Sequence, residues 1–188
     1  SQIANRESRD ADRTIPYAIA GMGMGKTSMV QQISAERDWG LYILSLASMD
    51  AAEVNGIIAL LDGEAHRVMP FWLRHEVVIL FLDELPQAPV ANMNVGRQII
   101  NELRCGEFDL PHNVVICAAG NRMSDRAGTN NMPSHLKDCL MFLPIDPDVE
   151  DAIAYMVANG VHRHVTGFLR ARPEFAVKFD RDADANPS

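Results

Sequence analysis

The stretch AGMGMGKTS, Ala20 to Ser28, joins three glycines to a lysine and two hydroxyls. A polyphosphate needs several backbone N–H groups converging on one anion, and glycines at 21, 23 and 25 suit a chain bent into such a nest. Gly25, Lys26 and Thr27 close the phosphate-loop pattern G-x-x-x-x-G-K-[ST], with Ala20 in place of its first glycine. In that pattern Lys26 reaches the β- and γ-phosphates and Thr27 ligates Mg²⁺. Gly21, Met22, Gly23, Met24 and Ser28 complete the candidate nucleotide-binding loop, the methionine side chains filling space beside it. The dinucleotide fingerprint fails, because neither Gly21-x-Gly23 nor Gly23-x-Gly25 has a third glycine at the required spacing.

VVILFLDE, Val77 to Glu84, sets two carboxylates at the carboxyl end of a near-continuous apolar run. There Asp83 is placed to hold Mg²⁺ and Glu84 to polarise an attacking water, since phosphoryl transfer depends on positioning and charge neutralisation. In isolation the segment reads equally well as a strand entering an acidic, solvated turn. Paired with GKT upstream, that reading loses. VVICAAGN ends a further buried strand on Asn121, a neutral amide that can orient the water without competing for the metal. Without the first two elements, a Gly-Asn turn would be the better account.

These residues need an α/β scaffold. Short apolar runs predict strands at Tyr17 to Ala20, Leu41 to Ala47, Val77 to Leu82, Val114 to Ala119 and LMFLPI. Met29, Val30 and Ile33 predict a helix from Lys26, and Val95, Ile99 and Leu103 mark another ending near Arg104. RCGEFDLPHN predicts a hairpin ahead of VVICAA. Ser48 to Glu76 carries mixed signals and is expected to be an insertion outside the core. Within it Phe71-Trp72 reads either as an exposed loop tip or as a covered aromatic cluster. Past Asp146, a proline after a capping aspartate and the stripe Val149, Ile153, Met156 and Val157 predict a helix closed by Asn159-Gly160. Val161, Val165, Phe168 and Leu169 predict a second helix packed on it. The expected fold is an open α/β parallel sheet with helices on both faces and a small helical extension, its ligand at the carboxyl ends of the strands. In domain terms this gives an arm at 1–14, a nucleotide-binding core at 15–146, and a helical segment with a polar tail at 147–188.

At 188 residues and 47% hydrophobic content the chain suffices for one domain with a small appendage. A net charge of -8 repels a polyanion, so nucleic acid is an unlikely partner outside a local contact. No apolar run is long enough for a membrane span, and the N-terminus lacks the design of a secretory signal. Cys105, Cys117 and Cys139 are too widely spaced for a CxxC knuckle and are expected to be reduced thiols in a cytosolic compartment. His162 and His164 form an HxH pair without a nearby Cys or acidic partner, and surface histidines are the favoured reading. The chain opens on Ser1 and stops in polar DADANPS, as a fragment would.

Taken in order, GMGMGKT, VVILFLDELPQAPVANMNVGRQIINELRCGEFDLP, VVICAAGNRMSDRAGTNNMPSHL and GFLRARPEF resemble the AAA+ ATPases, and most closely the MoxR-type ATPases and their phage-encoded relatives. The Walker elements are generic to phosphate-loop ATPases. LDEL-Q-A-P, the R-x-G-x-x-x-LP hairpin segment and AAGNR-x-x-DRAG are more specific. The resemblance implies a five-stranded P-loop sheet of order 5-1-4-3-2, an insertion in the second helix, a hairpin before the sensor strand and a partial C-terminal helical lid. It makes Lys26 and Thr27 the Walker A pair, Asp83 and Glu84 the Walker B pair, and Asn121 the first sensor. It also implies ATP/ADP and Mg²⁺ as ligands, and a hexameric ring, a homo-oligomer, that hydrolyses ATP to remodel a protein partner, often one with a von Willebrand A domain. A cytoplasmic setting in a bacterial or phage-infected cell goes with it. Where the family has its arginine finger this chain has Cys139, in MPSHLKDCLMF, so the substitutes to consider are Arg122, Arg126 and Lys137. The second-sensor arginine of the lid has no certain match and is expected beyond Ser188. Two other readings stand beside this one: a nucleotide-gated assembly module with negligible hydrolysis, and a DNA-linked motor or helicase loader, which the net acidity disfavours.

Overall fold

The computed structural model describes residues 14–21, 23–74, 78–111, 113–121, 132–146 and 148–177. Strand β1 (Ile15–Ala20) leads through the glycine loop into helix α1 (Lys26–Arg37), then β2 (Leu41–Ser45) and the short α2 (Ala51–Asn55). A hairpin of β3 (Ile58–Leu61) and β4 (Glu64–Arg67) and a 3-10 turn (Phe71–Arg74) precede β5 (Ile79–Asp83). A second 3-10 turn (Leu85–Gln87), α3 (Val90–Glu102) and the hairpin β6 (Arg104–Cys105) and β7 (Phe108–Asp109) follow. Then come β8 (Val115–Asn121), α4 (Ser134–Lys137) and β9 (Leu140–Pro144).

Strands β1, β2, β5, β8 and β9 pair in parallel in one sheet, in the order β2-β5-β8-β1-β9. Numbered along the chain as five core strands, this is 2-3-4-1-5, or 5-1-4-3-2 from the opposite edge, the order the family resemblance implies. Central β5 buries Ile79, Leu80, Phe81 and Leu82 in succession. Successive strand residues face opposite sides, so both faces of the sheet are covered there. The register sets Ala20 beside Asn121 and Ser45 beside Asp83, which gathers the carboxyl ends of four strands along one edge.

The stretch 48–76 contributes more to the core than its composition predicts. Val54 and Trp72 are buried in the main hydrophobic cluster with Leu44, Leu46 and Leu85. The indole Nε1 of Trp72 donates to Val54 O at 3.0 Å, which satisfies the one polar group of a buried tryptophan. Helix α2 starts on a capping box: Asp50 accepts from Ala52 N and Glu53 from Asp50 N. The β3–β4 hairpin stands out of the core, with Ile58 and Leu60 exposed. Helix α1 departs from its expected stripe as well: Val30 is buried, whereas Met29 and Ile33 are exposed.

The described chain divides into two compact units between Pro144 and Ile145. In the second, α5 (Val149–Ala158), α6 (Arg163–Ala171) and α7 (Glu174–Val177) follow one another, and α5 packs on α6. The cap of α5 is Asp148, whose carboxylate accepts from Asp151 N at 3.0 Å, not Asp146 as the Asp-Pro pair suggests. Ile153 is the buried member of its stripe, while Val157 is exposed. On α6 the buried residue is Thr166, and Val165 and Phe168 of the expected apolar set lie exposed. Arm residues 1–13, Pro147 and the tail from 178 fall outside the described residues.

Candidate functional site

Gly25 holds the N-cap of α1 in a left-handed conformation, φ 72° and ψ 18°, and Gly23 has the same φ of 72°. A side chain at either position would be strained by the backbone alone. A Cβ there would meet no described residue within 4 Å, so both positions face open space. The first turn of α1 contains no acidic residue of its own, and the carboxylate that approaches it is that of Asp83.

Lys26 is buried beneath this loop. Its Nζ donates to Gly21 O at 2.9 Å, to Ala20 O at 3.3 Å and to Asn121 Oδ1 at 2.7 Å. Thr27 Oγ1 donates to Asp83 Oδ2 at 2.8 Å. The other oxygen of Asp83 accepts the backbone N–H of Glu84 at 3.0 Å. Glu84 itself is exposed, with a left-handed backbone at φ 56° and ψ 33°. The structure thus brings Lys26, Thr27, Asp83 and Asn121 into one bonded constellation, with Glu84 next in sequence to Asp83.

Hard oxygen donors from Thr27 and Asp83 fit a magnesium ion, which takes one or two protein ligands and fills its octahedron with phosphate and water. Among the described residues no group of three or more His, Cys, Asp or Glu could hold a metal ion.

Two features escape a reading of the sequence. Gly120 precedes Asn121 because a Cβ there would run into Tyr17 Oη and would stand 2.7 Å from Pro86 Cγ. β1 and the Leu85–Gln87 turn thus approach β8 closely here, and the β1–β8 register sets Asn121 beside Ala20. Asn92, buried on the inner face of α3, donates through Nδ2 to Leu46 O at 2.9 Å and Met49 O at 2.8 Å. Leu46 N in turn donates to Asp83 O at 3.2 Å. The only trace of this brace in the sequence is a polar residue amid the apolar positions 93, 95, 99 and 100.

Of the remaining candidates, Gly21 and Met24 are half-buried in the loop, Ser28 is exposed in α1, and Met22, Arg122 and Arg126 lie outside the described residues. Lys137 is exposed on α4. Cys139 is half-buried, its Sγ 3.5 Å from His135 O. All three cysteines are free thiols, and Cys105 alone is fully buried. His162 caps α6 through Nδ1, which accepts from His164 N at 3.3 Å. No described helix is long and apolar enough to cross a membrane.

No family model matches the sequence, and no curated protein matches it. Solved structures do. A candidate ATPase from Cytophaga hutchinsonii superposes with a TM-score of 0.59 over 85% of this chain, at 16% identity. NtrX from Brucella abortus superposes with a TM-score of 0.52 over 98% of this chain, also at 16% identity. The chain spans 51% of the first protein and 44% of the second. At that identity the likeness is one of fold. Together with the strand order, it defines the fold as an open α/β fold with a five-stranded parallel sheet, shared with these two proteins.

Proposed function

We propose that this chain is an AAA+ ATPase domain that binds Mg-ATP at the loop Gly21–Ser28 and hydrolyses it within a ring of like subunits to remodel a protein partner. The observation that carries the reading is the convergence of Lys26 on Asn121 and of Thr27 on Asp83, pairs 95 and 56 residues apart in sequence. Such a convergence at the open mouth of a glycine loop suits polyphosphate chemistry. When bound, Mg²⁺ supplies charge neutralisation for the β- and γ-phosphate oxygens.

The chain's own residues divide the remaining tasks. Backbone N–H groups of the loop and the N-terminus of α1 hold the anion. Lys26 contributes a positive charge from a buried position, and Thr27 and Asp83 offer oxygens to the cation. Glu84, exposed and directly after Asp83, takes a proton from the attacking water or orients it, and Asn121 aligns that water. Glu84→Gln should retain ATP binding and lose turnover, whereas Lys26→Ala should lose both; unchanged ATPase activity in either variant overturns the assignment.

A second reading, a nucleotide-gated assembly module with negligible hydrolysis, is favoured by one observation. Cys139, at the position of the family's arginine finger, turns its thiol toward a backbone carbonyl of its own chain. Multiple-turnover phosphate release that depends on Glu84 separates the two readings. A cytoplasmic setting and a von Willebrand A partner are extensions of the first reading, tested by co-purification from the native host.

A further inference from the structure

A lysine ammonium has three N–H donors and no acceptor, and its partners in the structure include three oxygens of described residues. The shortest of these three bonds, 2.7 Å, goes to a side chain 95 residues away and not to the loop that carries the lysine. Because the ammonium can only donate, the amide of Asn121 must present its oxygen and turn its NH₂ elsewhere.

The three neighbours are not equivalent. Ala20 O and Gly21 O are backbone carbonyls, and Ala20 is locked by its register with Asn121 between β1 and β8. The amide of Asn121 sits on rotatable bonds. Of these three the amide moves most cheaply, so it is the one that a phosphate oxygen recruiting Lys26 displaces first.

We propose that Asn121 is an internal competitor for Lys26: it holds the ammonium where a phosphate would, yields it when nucleotide binds, and thereby sets nucleotide affinity. Release of the oxygen frees the amide to swing its NH₂ toward the incoming anion, so exchange of partners at Lys26 reports occupancy to the end of β8. The inference rests on reading the loop as a nucleotide site and deepens it. A residue that met only the terminal phosphate would have no effect on ADP. A competitor for Lys26 opposes ADP and ATP alike.

The experiment measures two quantities on the full chain and on Asn121→Ala: the rate at which an amine-acylating reagent modifies Lys26 without nucleotide, read by peptide mass spectrometry, and the affinity for a fluorescent ADP. A charge-assisted hydrogen bond lies at the strong end of the range, so its loss should speed acylation of Lys26 several-fold and tighten ADP binding about tenfold. Asn121→Asp, which grips the ammonium with a full charge, should weaken ADP binding. Asn121→Ser gives the same pair of results as alanine should the alanine variant fail to fold. Unchanged acylation, or ADP binding that is unchanged or weaker in Asn121→Ala, overturns the proposal. If ADP fails to protect Lys26 of the wild type, the nucleotide reading itself falls, and the acylation rates still decide whether Asn121 holds the lysine.

Discussion

Thr27 Oγ1 and Asp83 Oδ2 lie 2.8 Å apart, bridging the start of α1 and the end of β5. A hydroxyl hydrogen-bonded to a carboxylate at this position is prearranged for a cation, because both oxygens already converge before the cation arrives. Thr27→Val keeps the shape of the side chain and removes the oxygen. It should leave Mg-free ADP binding within about twofold and cut the gain conferred by Mg²⁺ about tenfold or more. Thr27→Ser should retain the gain. Titration of fluorescent ADP with and without Mg²⁺ provides the test, and a full magnesium effect in the valine variant would remove Thr27 from the metal site.

Glu84 has a non-glycine backbone in the left-handed region, at φ 56°. That conformation costs an L-residue roughly 1–2 kcal/mol. It persists where the chain turns sharply from β5 into the Leu85–Gln87 turn, with the N–H of Glu84 tied to Asp83 Oδ1. Glu84→Gly should therefore raise stability by about 1 kcal/mol, or roughly 2–4 °C in Tm for a chain of this size, after the greater freedom of glycine in the unfolded state is deducted. Turnover should disappear in the same variant. A Tm equal to or below that of the wild type would show that the backbone strain is relieved elsewhere.

Much of this site can be read from the sequence because its parts are local. GKT after a short apolar run, DE ending VVILFL and N ending VVICAAG each declare a strand terminus by a change from apolar to polar residues, and strand termini are where an open α/β sheet collects its ligand. What escaped is non-local. Nothing near Trp72 states that its indole will meet Val54 O and draw part of the insertion into the core. The Asp146-Pro147 pair suggests a cap more strongly than Asp148 does, yet the backbone at Asp148 is extended and its side chain reaches Asp151 N. The stripe Met29, Val30, Ile33 fits helical spacing, but the buried face of α1 is set by where Lys26 must point, and that leaves Met29 outside. The bond between Lys26 and Asn121 depends on the β1–β8 register, which no stretch of sequence encodes by itself.

Burial pushes the thiols of Cys105 and Cys117 up to about 11 from an ordinary 9.0, the nearby Arg67 partly offsetting the shift at Cys105. Below pH 9 folded and unfolded chains both keep these protons, and the full stability is present. Between pH 9 and about 11 the unfolded chain releases protons that the folded chain retains, so stability falls as pH rises, by up to about 1.4 kcal/mol per pH unit for each thiol. Burial also raises the phenol of Tyr17 above its ordinary 10.0, which adds a loss of the same sign above pH 10. Urea unfolding at pH 8, 9, 10 and 11 should show the decline, and Cys105→Ala with Cys117→Ala should flatten it up to pH 10, below the range where Tyr17 contributes. A slope that survives both substitutions would assign the alkaline loss to other groups.

Cys139 offers a gain-of-function test of the ring reading. A cation delivered across a subunit interface to a transferring phosphoryl group can raise turnover about 10³-fold or more, and a thiol cannot supply that charge. The side chain is half-buried, packs at the margin of the hydrophobic core and bonds weakly to His135 O, while its backbone carbonyl accepts from Ile15 N at 2.9 Å. Cys139→Arg should lower Tm somewhat, since a longer charged side chain replaces a thiol at the core margin, yet leave ATP affinity unchanged and raise kcat tenfold or more in a manner that grows with protein concentration. Lys137→Ala separates the remaining possibility: if exposed Lys137 already supplies the cation, its loss lowers wild-type turnover, and arginine at 139 restores it. Turnover that is indifferent to both changes at every protein concentration would mean that no charge from this segment reaches a neighbouring site, and would favour the assembly module over the motor.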